Sequence, residues 1–234
     1  YHAGRDPAHR ARERALAAAG AAVTLVVPTD WPEQGEATLS PEPFRVVELD
    51  ILRAGDVNRH RYRDSRALAE VVASVRPDVL DLHEEPFRAA VRQWLRTVSS
   101  EVPVVTYTAQ NVDKRLPPPF HGYEQTAYRR AAALYPCSLQ AASVALGKGF
   151  AGRIAVLPLG YDPLVLGPGE QSPEDDEVVL ALVGRLVPAK GVMDAVRVLA
   201  ELRRGRPARL VLVGGGPEER QARELASSLG VSDA

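Results

Sequence analysis

The chain has 234 residues, 45% of them hydrophobic, which is enough for one large domain or two ordinary domains with buried cores. Its 29 Lys and Arg residues nearly balance 30 Asp and Glu, which excludes nucleic-acid binding driven by a bulk positive charge. The single cysteine, Cys137, excludes an intramolecular disulfide framework and fits a reducing compartment, and the apolar runs are too short to span a membrane.

Strand and helix patterns alternate over the first 160 residues. Asp6 and Pro7 predict the start of a helix that Gly20 ends, with Ala8, Ala11, Ala15 and Ala18 on its apolar face. Strands are predicted at 22–28, 44–50, 78–83, 102–111 and 153–160, and further helices at 66–75, 86–95, 123–134 and 139–147, with Ser65 and Ser138 as caps. Such alternation implies right-handed crossovers and a parallel sheet.

Proline, glycine and acidic residues interrupt this alternation between residues 161 and 177. We interpret 163–176 as a linker that separates a first domain at 1–162 from a second at 177–234. The second domain begins again with strand 178–184, helix 190–203, strand 208–214 and helix 217–229. Two strands cannot cover both faces of an open sheet, so we expect an α/β protein with two Rossmann-like domains, the second incomplete.

The segment "GRLVPAKG" at 184–191 stands out because it holds one of only three lysines in the chain. Gly184 would let a ligand approach the backbone, and Arg185 offers a planar fork for phosphate oxygens. Lys190 would open the next helix, whose free N–H groups attract anions. These features predict a diphosphate site, although a surface loop with two solvated cations would have the same short pattern.

Polar residues also follow other predicted strands, at the carboxyl ends where open α/β sheets bind their ligands. His83 ends one strand, and on its own it fits a hydrogen-bonded core-edge residue better than a catalytic one. Glu84 and Glu85 favour a solvated acidic turn. The run Gly214, Gly215 and Gly216 lacks the third glycine of a dinucleotide fingerprint, so a tight turn before Pro217 is the simpler interpretation. No spacing of His, Cys and Asp indicates a metal cage.

The motifs taken together resemble a GT-B glycosyltransferase, and more closely glycosyltransferase family 4, whose members are retaining. The likeness is strongest over "ALVGRLVPAKGVMDAVRVLAELRRGRPARLVLVGGGPEERQARELASSLGV", which is similar to the donor-binding domain of that family. "VVTYTAQNVDKRLPPPF", "YPCSLQAA" and "VLPLGYD" look like segments of its N-terminal domain. The order of these motifs is more specific than any one of them.

The resemblance assigns roles to the polar residues that follow the predicted strands. It implies that Arg185 and Lys190, with Gly184 beside them, hold the diphosphate of the donor. His83 would be the catalytic residue near the transferred sugar. The resemblance adds Gln110 and Asn111 on the sugar or acceptor side, Gly4 in a loop that approaches the phosphates, and Gly214, Gly215 and Gly216 as the glycine loop of the donor domain. No metal or other cofactor is expected, because fixed cations neutralise the leaving group.

The expected function is therefore transfer of a hexose or related sugar from a nucleotide-diphosphate sugar to an acceptor hydroxyl on a lipid, a glycan or a metabolite. A nucleotide-sugar epimerase of the same fold and a non-catalytic nucleotide-sugar-binding module stay open as alternatives. The family's glutamate pair falls beyond Ala234 and the first strand is missing, so we expect a fragment of a longer enzyme. We expect a cytoplasmic protein, with peripheral association at the inner membrane face left open.

Overall fold

A computed structural model describes residues 2–32, 41–160, 167 and 177–233. The chain divides into two compact units, Tyr1–Leu166 and Gly167–Ala234, which we call the N-terminal and C-terminal units. Apart from residue 167, the predicted linker at 163–176 lies outside the described residues, so the exact domain boundaries stay a prediction. Within the described ranges, no helix has both the length and the apolar character needed to cross a bilayer.

The N-terminal unit alternates strands and helices. Its helices are α1 (Ala11–Ala18), α2 (Ser65–Val75), α3 (Ala89–Thr97), α4 (Phe120–Arg130) and α5 (Leu139–Gly147). Its strands are β1 (Thr24–Pro28), β2 (Arg45–Leu49), β3 (Ile51–Leu52), β4 (Arg61–Tyr62), β5 (Leu80–Leu82), β6 (Val104–Thr108), β7 (Ala133–Pro136) and β8 (Arg153–Ile154). Two 3-10 turns, Ala3–Arg5 and Pro7–His9, precede α1.

Parallel pairing dominates this unit. Strands β5, β6, β7 and β8 form a four-stranded parallel sheet in that order, and β1 pairs with β2 in parallel. The short strands β3 and β4 form an antiparallel pair. Because parallel strands need crossover connections, the helices between them follow directly. The prediction of an α/β fold is confirmed.

The register of the four-stranded sheet sets which side chains share a face. Successive residues of a strand point to opposite faces, so Val104, Thr106 and Thr108 are buried on one face of β6. Tyr107 points to the other face, opposite Tyr135 of β7. Asp81 pairs with Val105 and therefore lies on the same face as Tyr107. His83, two residues after Asp81, continues that row.

Helix α3 shows how the core is built. Its buried residues Ala90, Val91 and Trp94 lie on one face at helical spacing. Val91 and Trp94 join a cluster that includes Leu68 of α2 and Leu82 of β5. Full burial of such a side chain stabilises the fold by roughly 1.5–3 kcal/mol. A second cluster, beneath α4 and α5, contains Tyr128, Ala131, Leu134, Ala145 and Phe150.

The predicted apolar face of the first helix is wrong. Its four alanines at 8, 11, 15 and 18 are exposed, whereas Arg10 and Glu13 are buried. Arg10 Nε donates to the Gly4 carbonyl at 2.6 Å, and its Nη1 donates to Glu42 Oε1 at 3.2 Å. A buried guanidinium is stable only when its donors are paired in this way. Alanine gives no such directional preference, which explains the error.

The sequence also hides strand β7. The helix predicted at 123–134 ends at Arg130, and Ala133–Pro136 forms a strand between β6 and β8. The alanines at 131–133 favour a helix by intrinsic propensity, but burial of Leu134 at 0% exposure outweighs that preference. The strand predicted at 153–160 shortens to β8. The predicted cap Ser138 is confirmed, because its Oγ accepts from the Ala141 N–H at 3.1 Å. The cap of α2 is Asp64 instead of the predicted Ser65.

The C-terminal unit contains β9 (Val178–Val183), α6 (Val192–Leu202), β10 (Ala208–Val213) and α7 (Glu219–Ser228), with a 3-10 turn at Pro188–Lys190. Strands β9 and β10 pair in parallel, with Leu180 opposite Leu210. The helix predicted at 190–203 is observed as α6, and Val192, Val196 and Leu199 are buried on one of its faces at helical spacing. These side chains pack with Leu180 and Leu210 in a cluster of their own.

Candidate functional site

His83 lies at the carboxyl end of β5, held between aromatic rings. Its ring centroid is 4.5 Å from that of Tyr107, and it stacks on Tyr135 at 5.9 Å with an interplanar angle of 21°. His83 Nδ1 is 3.1 Å from the Tyr135 hydroxyl oxygen. The imidazole is therefore fixed both by ring contacts and by a hydrogen bond, at the sheet edge where the sequence predicts ligand binding.

The Tyr135 hydroxyl connects His83 to a charged pair. It donates to Asp81 Oδ1 at 2.5 Å and accepts from Arg12 Nη1 at 3.0 Å. The same Arg12 nitrogen donates to Asp81 Oδ2 at 2.6 Å. Burial, reinforced by Asp81, raises the pKa of Tyr135 well above its ordinary range, so its hydroxyl keeps its proton.

The protonation state of His83 follows from its surroundings. Burial lowers the pKa of His83 to about 4, and the Arg12 guanidinium adds to that effect, whereas Asp81 and Glu84 oppose it. At neutral pH the imidazole is therefore uncharged. A neutral imidazole has one donor and one acceptor nitrogen, which suits contact with a hydroxyl group.

Glu84 does not belong to a solvated turn, so that interpretation is wrong. It is 5% exposed and forms an ion pair with Arg88. It also accepts from the backbone N–H of His2 at 2.9 Å and lies 2.6 Å from His2 Nδ1. Burial alone would raise the pKa of Glu84, but the His2 hydrogen bond and the Arg88 charge hold it well below its usual range.

Glu85 points away from Glu84 and joins two strand ends. Its carboxylate accepts from Thr108 Oγ1 and from the Ala109 backbone N–H, both at 2.7 Å. Burial raises the pKa of Glu85 above its ordinary value, although these two hydrogen bonds oppose the shift. The side chain thus ties the end of β5 to the end of β6 and orders the segment that leads to Gln110.

His2, His60 and Glu84 form a group that the sequence does not reveal, since they lie far apart along the chain. Atoms of all three that could hold a metal ion lie within 4.8 Å of one another. His60 Nδ1 lies 3.2 Å from the Val57 carbonyl, and Trp31 packs edge-on against its ring at 5.1 Å. Glu84 is already engaged by His2 and Arg88, whereas His60 contacts backbone carbonyls and the His2 ring.

Gln110 and Asn111 differ in their surroundings. Gln110 donates through Nε2 to Glu124 Oε1 at 3.1 Å and accepts from Lys148 Nζ. Lys148 in turn lies 3.1 Å from Glu124 Oε1, in a buried ion pair. Asn111 is exposed. Gln110 therefore links the segment after β6 to Glu124 and Lys148. Contact of Gln110 or Asn111 with a sugar stays a prediction.

Gly4 is buried in the turn Ala3–Arg5, and its carbonyl accepts from Arg10. The residue two positions earlier, His2, binds Glu84 at the carboxyl edge of β5. The structure therefore brings the start of the described chain to the same sheet edge as His83. Contact between Gly4 and a phosphate group stays a prediction.

The candidate phosphate loop follows β9 in the C-terminal unit. Arg185 and Lys190 are both exposed. A Cβ placed on Gly184 would lie 3.8 Å from Lys190 Cε, so the lysine stem runs beside the Gly184 backbone. Lys190 does not open the helix as expected, because it ends a 3-10 turn and α6 begins at Val192 after Gly191. Both cations still lie between the end of β9 and the start of α6.

The glycine run after β10 packs directly on this loop. Gly214 has φ +139°, and a Cβ there would clash with the Gly184 carbonyl oxygen. A Cβ on Gly216 would clash with the Leu186 carbonyl oxygen. The Leu186 N–H donates to the Gly215 carbonyl at 2.9 Å. Close backbone packing therefore explains two of the three glycines, in line with a tight turn, and a direct role toward a ligand stays a prediction.

Sequence reasoning missed Arg12, Asp81 and Tyr135. One signal was available, since Asp81 and His83 are two apart in a strand and must share a face. Tyr107 and Tyr135 carried no such signal, because their pairing depends on the order of β6 and β7. Arg12 was hidden among many scattered arginines.

Comparison with known proteins gives a consistent result. Residues 13–164 match the family described as "Glycosyltransferase Family 4", and residues 168–234 match "Glycosyl transferases group 1". The chain is 28% identical over 258 aligned positions to a D-inositol 3-phosphate glycosyltransferase of Stackebrandtia nassauensis, covering 94% of the chain and 58% of that protein. A protein of the same name from Acidothermus cellulolyticus is 40% identical over 100 residues, or 35% of the chain and 22% of that protein.

Solved structures show the same fold. The lipopolysaccharide outer core galactosyltransferase WaaB, in its apo form, aligns with a TM-score of 0.53 at 11% identity, over 88% of the chain and 56% of that structure. Anabaena Alr3699/HepE, in complex with UDP and glucose, aligns with a TM-score of 0.52 at 16% identity, over 89% of the chain and 59% of that structure. The predicted GT-B type of α/β fold is confirmed, and the chain spans little more than half the length of these two structures and of the Stackebrandtia nassauensis protein.

Proposed function

The chain belongs to Glycosyltransferase Family 4, and we propose that it takes part in transferring a sugar from a nucleotide-diphosphate sugar to an acceptor hydroxyl, with retention at the anomeric carbon. The family match covers the N-terminal unit, and the match to glycosyl transferases group 1 covers the C-terminal unit. Retention comes from the family resemblance. The donor class also draws support from Alr3699/HepE, whose structure contains UDP and glucose.

The observation that carries the proposal is the loop after β9. Lys190 lies beside the Gly184 backbone, with Arg185 next to it and both cations exposed. When a sugar–phosphate bond breaks, negative charge grows on the departing diphosphate. A guanidinium fork and a compact ammonium held at one place would stabilise that charge in the transition state.

His83 supplies the complementary group in the N-terminal unit. Its neutral imidazole, fixed by Tyr107 and Tyr135, would contact the transferred sugar. A hydrogen bond to a fixed, uncharged group orients a hydroxyl without adding a charge that would oppose the positive character of the reacting carbon. We assign His83 this role within the proposed reaction.

The acceptor is proposed only as a hydroxyl compound. The two curated relatives bear the name D-inositol 3-phosphate glycosyltransferase, and that name describes those proteins. At 28% identity along the chain, the residues that select an acceptor can differ while the fold is kept. A panel of lipid, glycan and metabolite acceptors is therefore the appropriate starting point.

Transfer can be tested with radiolabelled nucleotide sugars and the full chain, alone and within the longest available reading frame. We expect label in a new glycoside, and Arg185→Ala or Lys190→Ala should lower the rate at least ~100-fold without altering the circular dichroism spectrum. Arg204→Ala is the matched control, because Arg204 is also an exposed cation. It follows the C-terminal end of α6, away from the loop after β9, and pairs with Glu201. Label found in free sugar, or only in a reversible complex, would contradict transfer.

We also propose that the reaction needs no divalent metal and takes place in the cytoplasm. The first proposal rests on the two fixed cations, which neutralise a diphosphate without an ion, and the second on the single cysteine. Transfer should continue at an unchanged rate in excess EDTA. A rate restored only by added Mg²⁺ or Mn²⁺ would contradict the metal-free proposal.

A further inference from the structure

The hydrogen bonds around Tyr135 determine where the proton of His83 resides. A tyrosine hydroxyl has one donor hydrogen and two acceptor lone pairs. The Asp81 carboxylate can only accept, so it takes the hydroxyl hydrogen at 2.5 Å. Arg12 can only donate, so its Nη1 occupies one lone pair at 3.0 Å. The remaining lone pair can only accept, and the group that faces it is His83 Nδ1 at 3.1 Å.

His83 must therefore carry its hydrogen on Nδ1. Rotating the imidazole by 180° would place a carbon atom at that position and lose the hydrogen bond. The neighbouring rings also resist such a rotation, since Tyr107 lies 4.5 Å from the imidazole centroid. In a neutral ring with Nδ1 protonated, Nε2 is the acceptor nitrogen.

We propose that Asp81, Arg12 and Tyr135 are positioning residues that hold His83 as the Nδ1-protonated tautomer, so that Nε2 accepts a hydrogen bond from a hydroxyl group of the substrate. This inference rests on the proposed function for its last step, the contact with substrate. The tautomer itself follows from the contacts of the N-terminal unit alone. Direct contact with substrate is assigned to His83 only.

Burial and the Arg12 guanidinium favour the neutral form of the imidazole, whereas the Asp81 and Glu84 carboxylates oppose it. Arg12 lies on the Tyr135 side and opposes a second positive charge, while Asp81 is neutralised by its ion pair with Arg12. Glu84 is likewise paired, with Arg88. Burial is the largest effect, and with Arg12 it outweighs the two carboxylates and lowers the pKa of His83 to about 4. The imidazole is then neutral across the physiological pH range, and Nε2 is its acceptor nitrogen.

The tautomer is measured directly by two-bond ¹H–¹⁵N correlation spectra of the histidine rings in the full chain, with His83→Ala identifying the His83 signals. Wild type should show a single Nδ1-protonated pattern. In Tyr135→Phe the acceptor for Nδ1–H is lost, and the pattern should shift toward the Nε2-protonated form. Tyr128→Phe is the matched control, because it removes a hydroxyl from another buried tyrosine of the same unit. An unchanged Nδ1-protonated pattern in Tyr135→Phe would overturn the proposal.

Kinetics separate positioning from a merely structural effect. Tyr135→Phe should lower kcat/KM for the donor on the order of 10- to 100-fold, and it should have no further effect in a His83→Ala background. If Tyr135→Phe fails to fold, Asp81→Asn is the second variant, and it should weaken the preference of His83 for the Nδ1-protonated tautomer. Equal losses from Tyr135→Phe with and without His83 would overturn the proposal. Full activity of His83→Ala, with the tautomer shift still present, would instead refute the role of His83 in the proposed function.

Discussion

Glu84 and Arg88 illustrate how a residue type can mislead when burial is unknown. Adjacent glutamates in a turn normally remain in water, because an unpaired buried carboxylate is very unfavourable. Here Glu84 is compensated by the Arg88 guanidinium and the His2 backbone N–H. The energetics of such a pair are asymmetric, since the pair itself contributes little whereas removal of one partner leaves an isolated buried charge.

Glu84→Gln should therefore destabilise the N-terminal unit by about 3 kcal/mol, because Arg88 keeps its charge and loses its partner. Urea unfolding followed by tryptophan fluorescence measures this, since Trp31 and Trp94 both lie in that unit. The matched control is Glu70→Gln, which breaks the exposed pair with Arg66 and should change stability by less than about 0.5 kcal/mol. The account fails if Glu84→Gln and Glu70→Gln have equal effects.

At the residue scale, the sequence predicts chemistry that is local in the chain and misses chemistry that depends on the fold. Gly184, Arg185 and Lys190 lie within seven positions, so their proximity is visible in the letters alone. The residues around His83 are brought together from four separate elements, α1, β5, β6 and β7. Tyr135 lies 52 residues away, so no spacing rule could have identified it.

Among the elements, the two loops of the C-terminal unit behave as one structure. The turn after β10 is stacked on the loop after β9 by backbone hydrogen bonds, and Gly214 is the closest point. A side chain at that position faces both an unfavourable φ of +139° and a clash with the Gly184 carbonyl. The conformation of the candidate phosphate loop thus depends on a glycine in a different loop.

Gly214→Ala should consequently destabilise the C-terminal unit by at least about 2 kcal/mol and weaken nucleotide-sugar binding. Gly215→Ala is the control, because a Cβ on Gly215 has no described atom within 4 Å. Hydrogen exchange of the β9 and β10 amides, read alongside nucleotide-sugar affinity, distinguishes the two variants. Equal exchange rates in both would show that the loops are not coupled through Gly214.

Lys148 offers a second test at the scale of elements. It follows α5 and contacts the Lys114 carbonyl at 3.1 Å and Glu124 of α4 at 3.1 Å, so it fastens the segment after β6 to two helices. Lys148→Met should accelerate hydrogen exchange at residues 109–114 on the order of tenfold or more, since it removes these bonds and leaves Glu124 buried without its cation. Lys114→Met removes an exposed ammonium from the same segment and should leave exchange unchanged. Matching exchange profiles for the two variants would show that Lys148 does not hold the segment after β6 in place.

Elements were predictable where hydrophobic periodicity is strong and failed where alanine dominates. Helix α6 carries valine and leucine at helical spacing, and its observed bounds, Val192–Leu202, lie close to the predicted 190–203. Alanine fits an exposed helix, a buried helix and a strand almost equally well. The error in the face of α1 and the missed strand β7 have this common origin.

For the whole molecule, the alternation of strands and helices was enough to predict the class of fold, because parallel strands require crossovers. Strand order was not predictable, since it is set by which faces bury most apolar surface. The buried clusters are each confined to one unit, two in the N-terminal unit and one in the C-terminal unit among the described residues. Each unit therefore has a core of its own, as the sequence predicted for two domains.

The pH dependence of stability joins the candidate site to the stability of its unit. His83 has a pKa of about 4 in the folded protein and about 6.5 when unfolded, so between these values the unfolded chain binds more protons. Stability should therefore fall as the pH is lowered from 6.5 toward 4, and it should be recovered above 6.5. His60, whose pKa is also lowered by burial, acts in the same direction.

His83→Gln removes one of these titrating groups and leaves His60 in place. Between pH 7 and pH 5 the wild type should lose on the order of 1 kcal/mol more stability than the variant, measured by urea unfolding with tryptophan fluorescence. His121→Gln is the matched control, because it replaces an exposed histidine of the same unit. Parallel slopes for wild type and His83→Gln would mean that His83 titrates alike in the folded and unfolded chain, and the burial that fixes its neutral form would then be wrong.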